Sequence, residues 1–304
     1  MSRLGDILRN LVGRGPREAG PRRPGNGASS FHLIWEMPAG VDKGSGASRV
    51  GSGLLGAGSG PGLGPGSGLV EASAVLEIVE PPRGEALYYW ALQVDFWAGG
   101  EVWGCGHTGL QWNKRYPEHR AVNWGGYFSA ERGGAVLPGT RSLLSGFTDD
   151  PNTLTYAWQP GRPYQLRVYR SPEILSAWRA EVRDLVSGVS SVIRDLLPAD
   201  GTTGLDSYLV RPLVWSEVFA ACDAPSVMVR WSDLRAIVEG GGVVRPSAVR
   251  VNYQSVANGG CPNTTVVADE AGGFLQVTNV PRIVGQGVVL PLLPRSVSRR
   301  EGGR

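Results

Sequence analysis

Period-two alternation most constrains what this chain can fold into. The segments "SAVLEIVE", "ALYYWALQVDFWA", "RPYQLRVYR", "AWRAEVRDL", "SVMVRWSDL", "SAVRVNYQSV" and "GGFLQVTNV" alternate or run with β-branched and aromatic residues, and Gly, Pro, Asp or Asn clusters separate them. Successive side chains of a strand point to opposite faces, so each segment reads as a strand with a face in a core. Short strands at this spacing predict an all-β chain, two antiparallel sheets in a jelly-roll sandwich. "FHLIWEMPAG" (31–40) supplies a first strand, and a single domain is expected over 29–293.

The segment "SAWRAEVRDLVSGVSSVIRDLLP" carries two patterns at once. Trp178, Val182, Leu185, Val189, Ile193 and Leu196 fit a helical stripe, while Trp178, Ala180 and Val182 alternate with Arg179, Glu181 and Arg183. Ser187-Gly188 lies in the middle, where glycine costs a helix about 1 kcal/mol relative to alanine but serves a strand-joining turn. The segment is read as a hairpin.

Glycine and proline mark the parts expected to stay outside the core. Residues 1–28 form an Arg/Gly/Pro-rich arm expected to be flexible, and 44–68 hold eleven glycines in twenty-five positions, read as an inserted surface loop. The tail 294–304 is polar and expected to be disordered. Leu4, Ile7, Leu8, Leu11 and Val12 share one helical face flanked by Arg3, Arg9 and Arg14, so residues 3–14 are a candidate for weak contact with a membrane surface. With no signal-peptide core or apolar span at the N-terminus, the default location is the cytoplasm. The net charge of +3 rests on arginines scattered among 27 acids, with Lys43 and Lys114 the two lysines. Nucleic-acid binding needs a clustered basic stripe and is not expected.

"GCGHTGLQWN" tests three kinds of chemistry. Gly104, Gly106 and Gly109 match the G-x-G-x-x-G spacing of a dinucleotide loop, but that loop needs a helix behind it, and Pro117 and the aromatic alternation argue against one. No cofactor is expected, and the glycines are read as a turn that admits positive φ between strands. Cys105, His107 and His119, with Glu118 or Asp95 as a fourth group, are weak metal candidates at a loose spacing. No G-x-S-x-G elbow occurs, and Asp95, Glu101, Glu131 and Glu217 are the carboxylates available for a glycosidase pair.

Aromatic residues concentrate strongly. Between 88 and 128 lie eleven of the chain's twenty-five Phe, Trp and Tyr residues. Many belong in a sandwich core. Others adjoin amides in polar sequence, so Trp103, Gln111, Trp112, Asn113, Asn123, Trp124 and Tyr127 are the candidate binding set, since aromatic faces beside amides suit sugar rings.

The segments "ALYYWALQVDFWAGGEVWGCGHTGLQWN", "AVNWGGY", "WRAEVRDLVSG", "VWSEVFAACDAPSVMVRWSDL" and "VRVNYQSVANGGCPNTTV" resemble actinobacterial proteins of unknown function with a concanavalin A-like β-sandwich, over about residues 70–292. The resemblance implies an architecture and no activity. It also implies that Cys222 and Cys261 face each other, as a disulfide in an exported chain or as packed thiols in one that is not, with thiols expected here and Cys105 a separate thiol. The E-x-D-x-x-E strand motif of sugar hydrolases of this fold does not occur. The expected function is therefore non-catalytic, lectin-like binding of a glycan or glycosylated surface. A protein-interaction or structural module is the alternative, and a glycan-active hydrolase a further one.

Overall fold

The computed structural model describes residues 28–38, 41, 68–198, 207–269 and 271–292. The expectations for the arm, the amphipathic stretch 3–14, all but the last residue of the glycine-rich insertion, and the tail concern residues outside that set. The described chain is all-β, and its strand pairs are antiparallel. One sheet runs in the order β6 (Gly146–Phe147), β7 (Asp150–Thr155), β5 (Arg120–Phe128), β4 (Glu101–Trp112), β3 (Tyr88–Ala98), β11 (Tyr208–Val218), β1 (Ser29–Glu36), β14 (Ala248–Tyr253) and β17 (Val289–Pro291). The second runs β10 (Ser190–Leu196), β9 (Trp178–Asp184), β8 (Pro163–Arg170), β2 (Leu69–Glu80), β12 (Met228–Val238), β16 (Gly273–Thr278) and β15 (Thr264–Asp269), with β13 (Val243–Val244) on the far end of β12. The sheets meet at one corner, where Leu69 pairs with Leu209. Stacked in this way, they form the expected jelly-roll sandwich.

Alternation decides which side chains enter the space between the sheets. Phe31, Leu33 and Trp35 of β1, Ala72, Ala74, Leu76 and Ile78 of β2, and Trp90, Leu92, Val94 and Phe96 of β3 join one buried cluster. Its densest part is aromatic. The Phe96 ring lies 4.9 Å from Trp103, 5.9 Å from Trp178 and 6.4 Å from Trp124, which carries contact from one sheet to the other. Such pairs add about 0.5–1.5 kcal/mol each beyond the area they bury.

The hairpin reading of 178–196 holds. β9 and β10 pair directly, and the helical stripe breaks because Leu185 and Val189 are exposed while Trp178, Val182 and Ile193 are buried. The turn is longer than the Ser-Gly pair alone. It spans 185–189, with Asp184 Oδ1 accepting the Val186 and Ser187 N–H groups and Gly188 at φ +75.

The glycine-turn reading of "GCGHTG" does not hold, because the segment lies inside β4. None of its three glycines has positive φ. They are small for packing reasons: a Cβ on Gly106 would lie 2.5 Å from the Trp124 ring and 2.8 Å from Phe96, and one on Gly109 would lie 1.9 Å from the Trp90 carbonyl oxygen. The thiol expectation for Cys222 and Cys261 is corrected as well: the two form a disulfide. It joins the connection after β11 to the one before β15, near the end of β1, where the Ser29 hydroxyl accepts the Cys261 N–H.

Candidate functional site

The outward face of the first sheet departs from what a sandwich ordinarily presents to water. Opposite the core, β3 places Tyr89, Ala91, Gln93 and Asp95; β4 places Cys105, His107, Gly109 and Gln111; β11 places Leu213, Trp215 and Glu217. The register sets His32, Trp215, Ala91, Gly109, Asn123 and Thr153 in one row across six strands, and Leu213, Gln93, His107 and Gly125 in the next. Tyr89 and Trp215 are only 4% and 6% exposed despite facing away from the core. Their rings meet edge to face at 4.8 Å.

Most polar groups on this face are bound to one another. The Tyr89 hydroxyl donates to Asn123 Oδ1 at 2.9 Å, Asn123 Nδ2 donates to Thr153 Oγ1 at 2.9 Å, and Thr153 donates to Asp150 at 2.7 Å. Gln111 Oε1 accepts the Tyr116 hydroxyl at 2.7 Å. Trp215 Nε1 donates to Gln93 Oε1 at 3.1 Å. A buried network satisfied in this way holds the rings in place. Burial pushes the Tyr89 hydroxyl well above the usual tyrosine range, so it stays a donor.

Four groups remain available to a ligand. The His107 ring, 6.0 Å from Tyr127 and nearly parallel to it, makes no hydrogen bond to another described residue. Its desolvation lowers the imidazole to about 4, so it is neutral at pH 7. Tyr127 is 45% exposed, the Gln93 amide nitrogen donates to no described residue, and the Glu217 carboxylate forms no ion pair with one. Burial raises the Glu217 pKa. From Tyr127 on β5 to Glu217 on β11 is three inter-strand steps and six residues along the strands, about 14 Å by about 20 Å. The arrangement suits an extended ligand laid across a sheet.

The residues singled out from the sequence divide among different places. Trp103 and Trp124 are core residues, and Trp124 Nε1 donates to the Trp178 carbonyl. Trp112 is partly buried at the end of β4, packs on the core, stacks on His119 at 5.0 Å and donates to the Gly84 carbonyl. Asn113 caps the adjoining turn, accepting the Arg115 N–H. Gln111, Asn123 and Tyr127 share the outward face. Tyr89, Gln93 and Trp215 were not in the candidate set. Their parity along β3 and β11 is the signal that groups them with Tyr127.

The same geometry separates the weak metal candidates. Cys105 and His107 lie on β4 while His119 lies against Trp112, Glu118 pairs with Arg120 at 3.6 Å, and no group of three metal-ligating side chains converges among the described residues. Burial pushes the Cys105 thiol up to about 12. The carboxylate-pair reading also lacks a site. Asp95 pairs with Arg211 at 2.6 Å and Glu101 with Arg132 at 2.9 Å, Glu131 is on an exposed turn, and Glu217 stands six residues along the sheet from Asp95, about 20 Å. Glycosidase carboxylates stand within about 10 Å of each other.

No protein-family model matches the chain, and no curated protein matches it. Among solved structures it is similar to Scytalido-glutamic peptidase bound to a peptide-based transition-state analog (10% identity, TM-score 0.39, 83% of this chain and 98% of that one). It is also similar to the alginate lyase from Klebsiella pneumoniae (9% identity, TM-score 0.25, 52% and 60%). The β-porphyranase of the human gut bacterium Bacteroides plebeius is a third (8% identity, TM-score 0.26, 71% and 86%). Likeness at these TM-scores carries no argument about what this chain does, and the site rests on its own residues.

Proposed function

We propose that the protein binds a glycan, free or on a glycosylated surface, in a lectin-like and non-catalytic manner on the outward face of the β5–β4–β3–β11 strands. The observation that carries this reading is the exposed Tyr127 ring backed by His107, on one face with open hydrogen-bonding groups on Gln93 and, about 20 Å along the strands, on Glu217. An aromatic face with a few placed polar groups suits the CH faces and hydroxyls of sugars. The Cys222–Cys261 bond supports an oxidising setting for this role in place of the cytoplasm.

A glycan array followed by tryptophan-fluorescence titration tests it, with Trp215 beneath the site as reporter. Tyr127→Ala is expected to weaken binding at least tenfold while leaving the unfolding midpoint unchanged, because the ring is exposed. Absence of a saturable signal with any glycan would overturn the reading.

A further inference from the structure

We infer that the ligand of this face is a non-acidic glycan whose hydroxyl or amine donors are received by Glu217. The inference rests on the glycan-binding reading above and goes further, to the charge class of the ligand.

The argument is a census of charge on the first sheet. Its nine strands carry three cationic residues, Arg120, Arg211 and Arg250, and no lysine. Each has a carboxylate partner: Glu118 at 3.6 Å, Asp95 at 2.6 Å and Glu36 at 2.6 Å. Their five acids are Glu36, Asp95, Glu101, Asp150 and Glu217. The first four pair with Arg250, Arg211, Arg132 and Arg115. Among the described residues, Glu217 is the one charged side chain on these strands with no opposite charge paired to it.

An acidic sugar laid on this face would find no free cation among the strands and an unpaired carboxylate instead. Recognition of carboxylate or sulfate ordinarily uses arginine forks, and here each strand-borne arginine already stands beside a carboxylate that offsets its charge. The nearby imidazoles do not replace them. Burial lowers both His32 and His107 to about 4, so neither supplies a positive charge at neutral pH. A half-buried carboxylate with unused lone pairs, by contrast, gains most from a hydroxyl or ammonium donor.

The test compares three hexasaccharides of equal length, built from glucose, glucosamine and a uronic acid, by calorimetry and fluorescence against the full chain and its Glu217→Gln variant at pH 7. The uncharged or the amino hexamer should bind at least tenfold more tightly than the uronate. Glu217→Gln should shrink that gap to under threefold without changing the thermal unfolding midpoint by more than a few degrees. Amine binding well above glucose binding assigns the donor as ammonium, and equal binding assigns it as hydroxyl; both support the inference. A uronate that binds as tightly as the others, or a gap that survives Glu217→Gln, overturns the charge-class inference and leaves glycan binding standing. No binding by any hexamer, together with a blank array, removes the glycan reading and this inference with it.

Discussion

Gly106 lacks a side chain because two fully buried rings, Trp124 and Phe96, occupy the place where a Cβ would sit. Gly106→Ala should cost about 1–3 kcal/mol, as overpacking of a tight core does. Gly109→Ala should cost more, since the obstacle there is the Trp90 backbone carbonyl of the neighbouring strand. Urea unfolding of the two variants would check both the costs and their order. This is where the sequence was read correctly as to residue type and incorrectly as to cause. Glycines at 104, 106 and 109 announce a close approach, but a linear string does not distinguish positive φ from a ring lying across a strand. The same limit applies to Trp103 and Trp124. An amide neighbour such as Asn123 has the opposite side-chain parity to Trp124, so adjacency in sequence placed them together and the pleat placed them on opposite faces.

At the scale of elements, the β9–β10 hairpin shows how a polar contact secures an ambiguous segment. Arg179 and Asp195 stand directly opposite each other and form a two-pronged pair, Nε to Oδ1 at 2.8 Å and Nη2 to Oδ2 at 2.9 Å. Asp195 is buried and also accepts the Ser171 hydroxyl. Asp195→Ala should therefore lower stability by about 1–3 kcal/mol, because Arg179 loses its buried partner and keeps only the exposed Glu173. Equilibrium denaturation would show it, with Glu181→Ala, a change on the outward side of β9, as the mild comparison. The strands themselves were legible because alternation over seven to twelve residues sums many small preferences. Legibility falls at the bulges. Ladder slips at Val210/Leu213 and Ser232/Arg235 put Arg211 and Asp233 at φ 49 and 48, and no local sequence rule places such slips.

For the whole molecule, two predictions follow from groups that link distant parts. The disulfide closes a loop of 39 residues in sequence separation, which in the chain-entropy account is worth about 4 kcal/mol. Replacing both Cys222 and Cys261 by alanine should lower the unfolding free energy by about 2–4 kcal/mol, measured by denaturant titration, without loss of the all-β circular dichroism spectrum. The buried imidazoles set an acid limit. His32 and His107 are held at about 4 in the fold against about 6.5 in the unfolded chain. Between these values the unfolded chain takes up protons that the folded one does not, so stability is full above about pH 6.5 and declines as pH falls towards 4. The loss is on the order of 2–3 kcal/mol per histidine, and His107→Phe should remove roughly one proton from the pH slope. Glu217, raised by burial, works in the opposite sense above the usual carboxylate range and softens that decline. By itself the sequence determined that the chain is all-β and which of its segments become strands, because period-two alternation is a local property that survives without knowledge of neighbours. Only the tertiary structure decided which strands adjoin, and hence that Tyr127, His107, Gln93 and Glu217, on four different strands and up to 124 positions apart, share one face. Register between strands distant in sequence comes from the packing of two sheets on one core, a global constraint that a residue-by-residue reading does not contain.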